Sequence, residues 1–205
     1  MFSLPMLTEQ FLLKNYLQLR QLFFLVQAFP MYWTHVIFHH YVNEGFISRK
    51  GLKPILRLLK NQWFFRLRSV SELTTVDFPS RDYRFRLVYV FLSYSYTSRL
   101  LVGLYASEQF PVPSATEEFP GTCWLEREVW DMFGLFFQNN PDLRRLLTDY
   151  GFRGHPLRKD FPLSGFYEIF YDDRKKQIMY AKVSLAQELR NYRMLNPWGR
   201  LDATA

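Results

Sequence analysis

The stretch from Arg84 to Ser95, RFRLVYVFLSYS, alternates with period two and is apolar on both sides. Phe85, Leu87, Tyr89 and Phe91 share one side, and Val88, Val90 and Leu92 share the other with Arg86. A strand with one wet face would alternate apolar with polar, so two apolar faces predict a central strand with neighbours on both edges. Arg99–Ala106, RLLVGLYA, reads as the next strand, with the turn at Ser98 and its neighbours.

Thr8 to Ala28 reads as a helix, its apolar residues recurring at helical spacing and Pro30 lying just past its end. Met31–Val42 is aromatic and β-branched and reads as a strand, followed by a turn at Asn43-Glu44-Gly45. Ser48 is a candidate N-cap for a second helix over Arg49–Asn61, with Leu52, Ile55, Leu56 and Leu59 as its apolar stripe. Trp63–Val76 is strand-like. Trp124–Phe137 reads as a third helix, its stripe formed by Leu125, Val129, Met132, Phe133 and Phe136. Beyond it, Gly and Pro break the chain repeatedly between Asn139 and Phe166, and Ile169–Val183 suits a short hairpin around Asp172-Asp173.

The expected fold class is α+β: residues 1–48 supply a helix and a first strand, residues 49–138 form the core domain, and residues 139–205 form a long irregular C-terminal arm. That arm is rich in Leu, Phe, Tyr and Arg, unlike a solvated linker. A segment at once irregular, apolar and charged suits an arm lying on another protein. Hydrophobic residues make up 48% of the chain, enough for a sizeable core, which excludes wholesale disorder. Gln21–Asn43 lacks Lys, Arg, Asp and Glu, but its purely apolar run Leu22–Val26 is too short to span a bilayer.

The chain carries 26 Lys+Arg against 19 Asp+Glu, a formal charge of +7. The surplus lies mostly in residues 1–119, while the densest charges, in residues 120–176, balance. A basic surplus with many aromatics fits an organellar RNA-binding or ribosomal protein as an alternative. Balanced clusters fit ion pairing better than phosphate binding. Among these, Asp142, Arg144, Arg145 and Asp149, then Arg158-Lys159-Asp160, alternate in sign. In Glu126-Arg127-Glu128 with Asp131, the helix turns ~100° per residue, so the two glutamates point apart and make a poor acid–base pair. Arg127 and Asp131, four apart, can pair. Cys123 is the only cysteine, so this chain alone builds neither a disulfide nor a Cys-based zinc or iron–sulfur site. His35 and His39 share one side of a strand without accompanying carboxylates, which reads as a strand face rather than a metal site. No nucleophile elbow, phosphate loop or dinucleotide fingerprint is present.

The run WLEREVWDMFG over Trp124–Gly134 resembles the signature of the 30 kDa subunit family of respiratory complex I, also called NADH dehydrogenase subunit 9. So do PDLRRLLTDYGF from Pro141 and GHPLRKDFPLSG from Gly154, which contains His155. Asp77-Phe78-Pro79 and Arg84-Phe85 fit the family's sheet. Asn140 stands where the family usually has His, and Thr122-Cys123 replaces the commoner Ala-Asn. The resemblance implies helices on a mixed sheet and a core subunit of the peripheral arm, on the matrix side of the mitochondrial inner membrane. It implies an arm against the large quinone-site subunit, with FMN, iron–sulfur clusters and quinone in neighbouring subunits and no redox centre in this chain. Glu126, Arg127, Glu128, Asp131, Asp142, Arg144, Arg145, Asp149, His155, Arg158, Lys159 and Asp160 become its assembly residues. The first basic residue is Lys14 and Glu9 precedes it, a poor transit peptide, so an organelle-encoded chain is the expectation.

Overall fold

A computed structural model of the chain describes residues 20, 23–38, 42–187 and 189–190. The main sheet has five strands in the order β1-β2-β5-β4-β3. These are β1 (Trp33–Phe38), β2 (Asn43–Ile47), β3 (Ser69–Asp77), β4 (Phe85–Ser93) and β5 (Ser98–Ala106). The apolar–apolar strand β4 lies between β5 and β3, the interior place its pattern predicts. β2 and β5 run parallel and the other neighbours antiparallel, so the sheet is mixed.

Two helices, α1 (Leu52–Asn61) and α2 (Thr122–Phe133), contribute to one core with the sheet. Leu52, Ile55, Leu56 and Leu59 of α1 are all buried, as the stripe predicts. They join Phe85, Leu87, Tyr89 and Phe91 of β4, Val102, Leu104 and Ala106 of β5, and Val129 of α2. Burial of a Leu or Phe side chain contributes about 1.5–3 kcal/mol, so this face dominates stability. On the opposite face the rings of Phe46, His35 and Tyr105 stack on one another, with the Arg86 guanidinium 4.8 Å from the Phe46 ring centroid.

Several sequence expectations need correction. Asn43-Glu44-Gly45 is the start of β2 and not a turn. Its polar residues are tolerated inside because Glu44 forms an ion pair with Arg86. Gly45 is required because the Trp33 ring lies against it, where a Cβ would come within 2.2 Å. Ser48 precedes a short 3₁₀ turn, Arg49–Gly51, and makes no side-chain cap. In the strand-like stretch after Trp63, β3 begins only at Ser69. α2 stops at Phe133, leaving Phe136 outside it and exposed. Residues 20 and 23–28 are helical, while the rest of the predicted first helix, together with His39 and His40, lies outside the described residues.

Two short strands flank α2 in sequence. β6 (Val112–Pro113) pairs in parallel with β7 (Phe137–Gln138), which draws the loop after Pro113 towards the chain leaving α2. The chain divides into two compact units, residues 1–162 and 163–205, so that residues 139–162 group with the core. The second unit holds the expected hairpin, β8 (Tyr167–Asp172) and β9 (Gln177–Lys182). No helix among the described residues is long and apolar enough to cross a membrane.

Candidate functional site

The charged residues of α2 are buried to an unusual degree. Glu126, Arg127 and Asp131 are all buried, whereas Glu128 is exposed. A charge inside a protein costs several kcal/mol unless hydrogen bonds replace its water, so each of the three requires a full set of partners.

Glu126 finds them in the two segments joined by β6 and β7. Its Oε2 accepts from Ser114 Oγ at 2.6 Å, Asn140 Nδ2 at 2.7 Å and Thr116 Oγ1 at 3.3 Å. Its Oε1 accepts from the Ala115 N–H at 2.7 Å. Burial pushes its carboxyl above the usual glutamate value, and these four donors pull the other way without overcoming it. The fully buried Tyr89 phenol is pushed well up by burial, then by the Glu126 charge. Cys123 is half-buried, and its Sγ lies 3.7 Å from Asn140 Oδ1.

Asp131 holds the next segment. Its Oδ2 accepts the backbone N–H groups of Leu146, Leu147 and Thr148 at 3.2, 2.8 and 2.9 Å. Its Oδ1 accepts from Thr148 Oγ1 at 2.7 Å and Arg145 Nη1 at 3.2 Å. Burial alone would raise its pKa, but the Thr148, Leu147 and Leu146 donors outweigh it and hold the carboxyl below the ordinary range. Three successive N–H groups aimed at one oxygen form an anion nest. Here the anion is the protein's own.

Arg127 does not pair with Asp131, as the four-residue spacing suggests. It donates instead to the carbonyls of Arg144 and Arg145 and lies over the Trp124 ring. Long-range packing turned both side chains away from their own helix and towards the segment behind it. Gly134 ends α2 at φ +75°, a left-handed conformation suited to glycine, with its N–H on the Trp130 carbonyl. A side chain there would meet His155 and Arg158 at 2.5 Å. Both residues close over the helix end: His155 Nδ1 lies 2.9 Å from the Asp131 carbonyl, and Arg158 Nε donates to the Phe133 carbonyl. Burial, then the Arg158 and Arg145 charges, lowers the His155 pKa against the opposing pull of that carbonyl contact and Asp131.

A second knot ties the same segment to the sheet. Arg84 donates Nε and Nη2 to the two oxygens of Asp77 at 2.6 and 2.8 Å, a bidentate pair. It also reaches Glu108 and Asp160, each at 3.1 Å. Arg158 Nη1 shares Glu108, and the Lys159 N–H donates to Asp77 Oδ2. Arg84 hydrogen bonds are the main cause of lowered pKa values at Asp77 and Asp160.

Sequence reasoning thus named most of the group, and the structure gathers Asp131, Arg145, His155 and Arg158 around the end of α2. Asp142 pairs with Arg144 in an exposed contact, and Asp149 accepts its neighbour Tyr150's N–H. Lys159 contributes its backbone N–H here, with its ammonium 5.8 Å from the Phe78 ring centroid. The anchors missed were Ser114, Thr116, Thr148 and Glu108. Short hydroxyl residues and a lone glutamate leave no periodic signal. Asp77 and Arg84 were visible only through the resemblance.

Chemically, the carboxylates of α2 make a poor acid–base pair: Glu126 is saturated inside while Glu128 faces solvent. Among the described residues, no three His, Cys, Asp or Glu side chains group to hold a metal ion. The geometry suits holding chain segments together.

Comparison with known proteins identifies the family. Residues 46–167 match the sequence model described as respiratory-chain NADH dehydrogenase, 30 Kd subunit. The chain is 42% identical, over 87% of each sequence, to NADH-ubiquinone oxidoreductase subunit 9 of Reclinomonas americana. It is 49% identical to the mitochondrial NADH-ubiquinone oxidoreductase 30.4 kDa subunit of Neurospora crassa, covering 72% of this chain and 52% of that longer relative. In fold it resembles a chain of the membrane-bound sulfane sulfur reductase, an archaeal respiratory membrane complex. That match has a TM-score of 0.59 at 20% identity and covers 70% of this chain and 85% of that one. The extent of these matches, over the very segments that α2 staples together, establishes that the chain belongs to the 30 kDa subunit family of respiratory-chain NADH dehydrogenase, complex I.

Proposed function

We propose that the chain is a structural subunit of the peripheral arm of proton-pumping NADH:ubiquinone oxidoreductase, on the matrix side of the mitochondrial inner membrane. It scaffolds the large quinone-site subunit and carries no redox centre itself. FMN, iron–sulfur clusters and quinone belong to its neighbours, and its own contribution to catalysis is their placement. The single observation behind this reading is the fate of the signature charges. Glu126 is spent on residues 114–116 before α2 and on Asn140 after it, and Arg127, Asp131, Arg145 and Arg158 are spent on internal staples between α2 and the segment that follows it. The same stapled segment turns Leu147 and Tyr150 outward, Tyr150 at 96% exposure. A fixed backbone presenting apolar side chains suits protein–protein contact, because little ordering entropy remains to be lost on docking. The donor set supports the absence of a cluster, since one cysteine cannot supply the thiolates that iron–sulfur centres use.

The RNA-binding alternative finds no support, since several of the basic groups it needs are already paired with carboxylates. The test is Asp131→Asn in the intact respiratory complex. The scaffold reading expects less assembled complex, with unchanged NADH:quinone turnover per assembled complex. Normal assembly with turnover abolished would overturn it in favour of direct chemistry by α2.

A further inference from the structure

The hairpin of the second unit presents a sorted surface. In its register Tyr167 faces Lys182, Ile169 faces Tyr180 and Tyr171 faces Ile178. Side chains alternate along a strand, so these pairs share one side. That side carries Tyr167, Ile169, Tyr171, Ile178 and Tyr180, each between 51 and 65% exposed. The other side is mixed, with Glu168, Asp172 and Gln177 beside Phe170 and Met179. An isolated two-stranded hairpin is marginally stable in water, and a contiguous apolar face of this kind marks an interaction site.

The distribution of charge says what covers it. Lys182 lies at one end of the apolar side. At the other end the turn between the strands carries Arg174, Lys175 and Lys176 against the single Asp173. Glu168 and Asp172 fall on the opposite side. The apolar face is therefore bracketed by cations. A protein fits it better than a lipid surface on two counts. Among the described residues β8 and β9 pair only with each other, so their outer edges offer backbone donors and acceptors that a groove can match and hydrocarbon cannot. Three tyrosine hydroxyls likewise need polar partners, as at protein interface cores.

We propose that this face seats in an apolar groove rimmed with carboxylates on a neighbouring protein subunit. The proposal rests on the assembly reading above and names the contact surface and its complement.

The experiment replaces the chain in mitochondria and measures how much enters the respiratory complex after mild detergent extraction. Ile169→Asp with Ile178→Asp should lower incorporation at least tenfold, as should truncation after Pro162. Phe170→Asp, on the other side, should incorporate like the unaltered chain. Lys175→Glu with Lys176→Glu leaves the strands untouched and should lower incorporation several-fold by facing carboxylates across the rim. If truncation blocks incorporation while the Ile169/Ile178 variant enters normally, or Phe170→Asp fails equally, the face is wrongly assigned and the assembly reading stands. If truncated chain incorporates normally, the docking role of the arm itself fails. Normal incorporation of the turn variant would overturn the acidic rim. Co-sedimentation of the purified full chain with phosphatidylcholine–phosphatidylglycerol vesicles, abolished by Ile169→Asp with Ile178→Asp, would overturn the choice of a protein partner.

Discussion

Replacing Asp131 with alanine deprives five donors of one buried acceptor: three backbone N–H groups, the Thr148 hydroxyl and Arg145. An unpaired buried N–H costs about 1–3 kcal/mol. Leu147 is exposed and Thr148 only half-buried, so water reaches part of the nest and the low end applies, about 1 kcal/mol each. Arg145 keeps the Gly154 carbonyl, and its half-exposed ion pair adds no more than ~1 kcal/mol. The expected loss is therefore ~3–4 kcal/mol, concentrated in residues 145–155. Asp131→Asn retains one oxygen for the N–H row and gives up the Arg145 pair, for about 1–2 kcal/mol. Amide exchange on the purified full chain reads this locally. In Asp131→Ala, Leu147 and Thr148 should exchange roughly 100-fold faster or more, since each ~1.4 kcal/mol is tenfold, while β4 amides change little. The native Asp131 pKa lies below its unfolded value, so its contribution is present above the ordinary aspartate value. It is lost as pH falls through the native value. Wild-type and Asp131→Asn chains should thus converge in stability in acid. Unchanged Leu147 and Thr148 exchange in the alanine variant would refute the nest as the holding element.

Glu126 carries the opposite sign. Its native pKa is raised, so the folded state binds the proton more tightly, and stability from this group falls as pH rises from the ordinary glutamate value through the native one. Glu126→Gln should remove that slope from urea midpoints measured across acidic pH, and an unaltered slope would place the titration elsewhere. Arg84→Lys cannot span both oxygens of Asp77 while reaching Glu108 and Asp160, and should cost about 1–2 kcal/mol. Its marker is the Lys159 amide, which donates to Asp77; equal protection in variant and wild type would show that Arg84 does not hold that segment.

Local patterning along the chain determined the interior position of β4, the buried stripe of α1, the existence of α2 and the β8–β9 hairpin. Each depends on periodicity within one element, and burial follows directly from spacing. The divergence of Glu126 and Glu128 was legible for the same reason. The partners of those charges were not. Spacing along α2 pairs Arg127 with Asp131, yet the structure sends Arg127 to the carbonyls of residues 144 and 145 and gives Asp131 to the N–H row at 146–148. An exposed ion pair on one helix is worth only a few tenths of a kcal/mol. A buried carboxylate closing three backbone donors contributes several times that, so tertiary packing prevails. β2 is a parallel case: its first three residues read as a turn by composition, yet they pair with β1 and β5 as a strand, with the Trp33 ring over Gly45 and Glu44 paired to Arg86. Sequence alone singled out Glu126, Arg127 and Asp131 as the charged cluster of this helix. The tertiary structure decided that Glu126 and Asp131 face inward, because the hydrogen-bond donors that make burial of a charge tolerable come from segments remote from their helix.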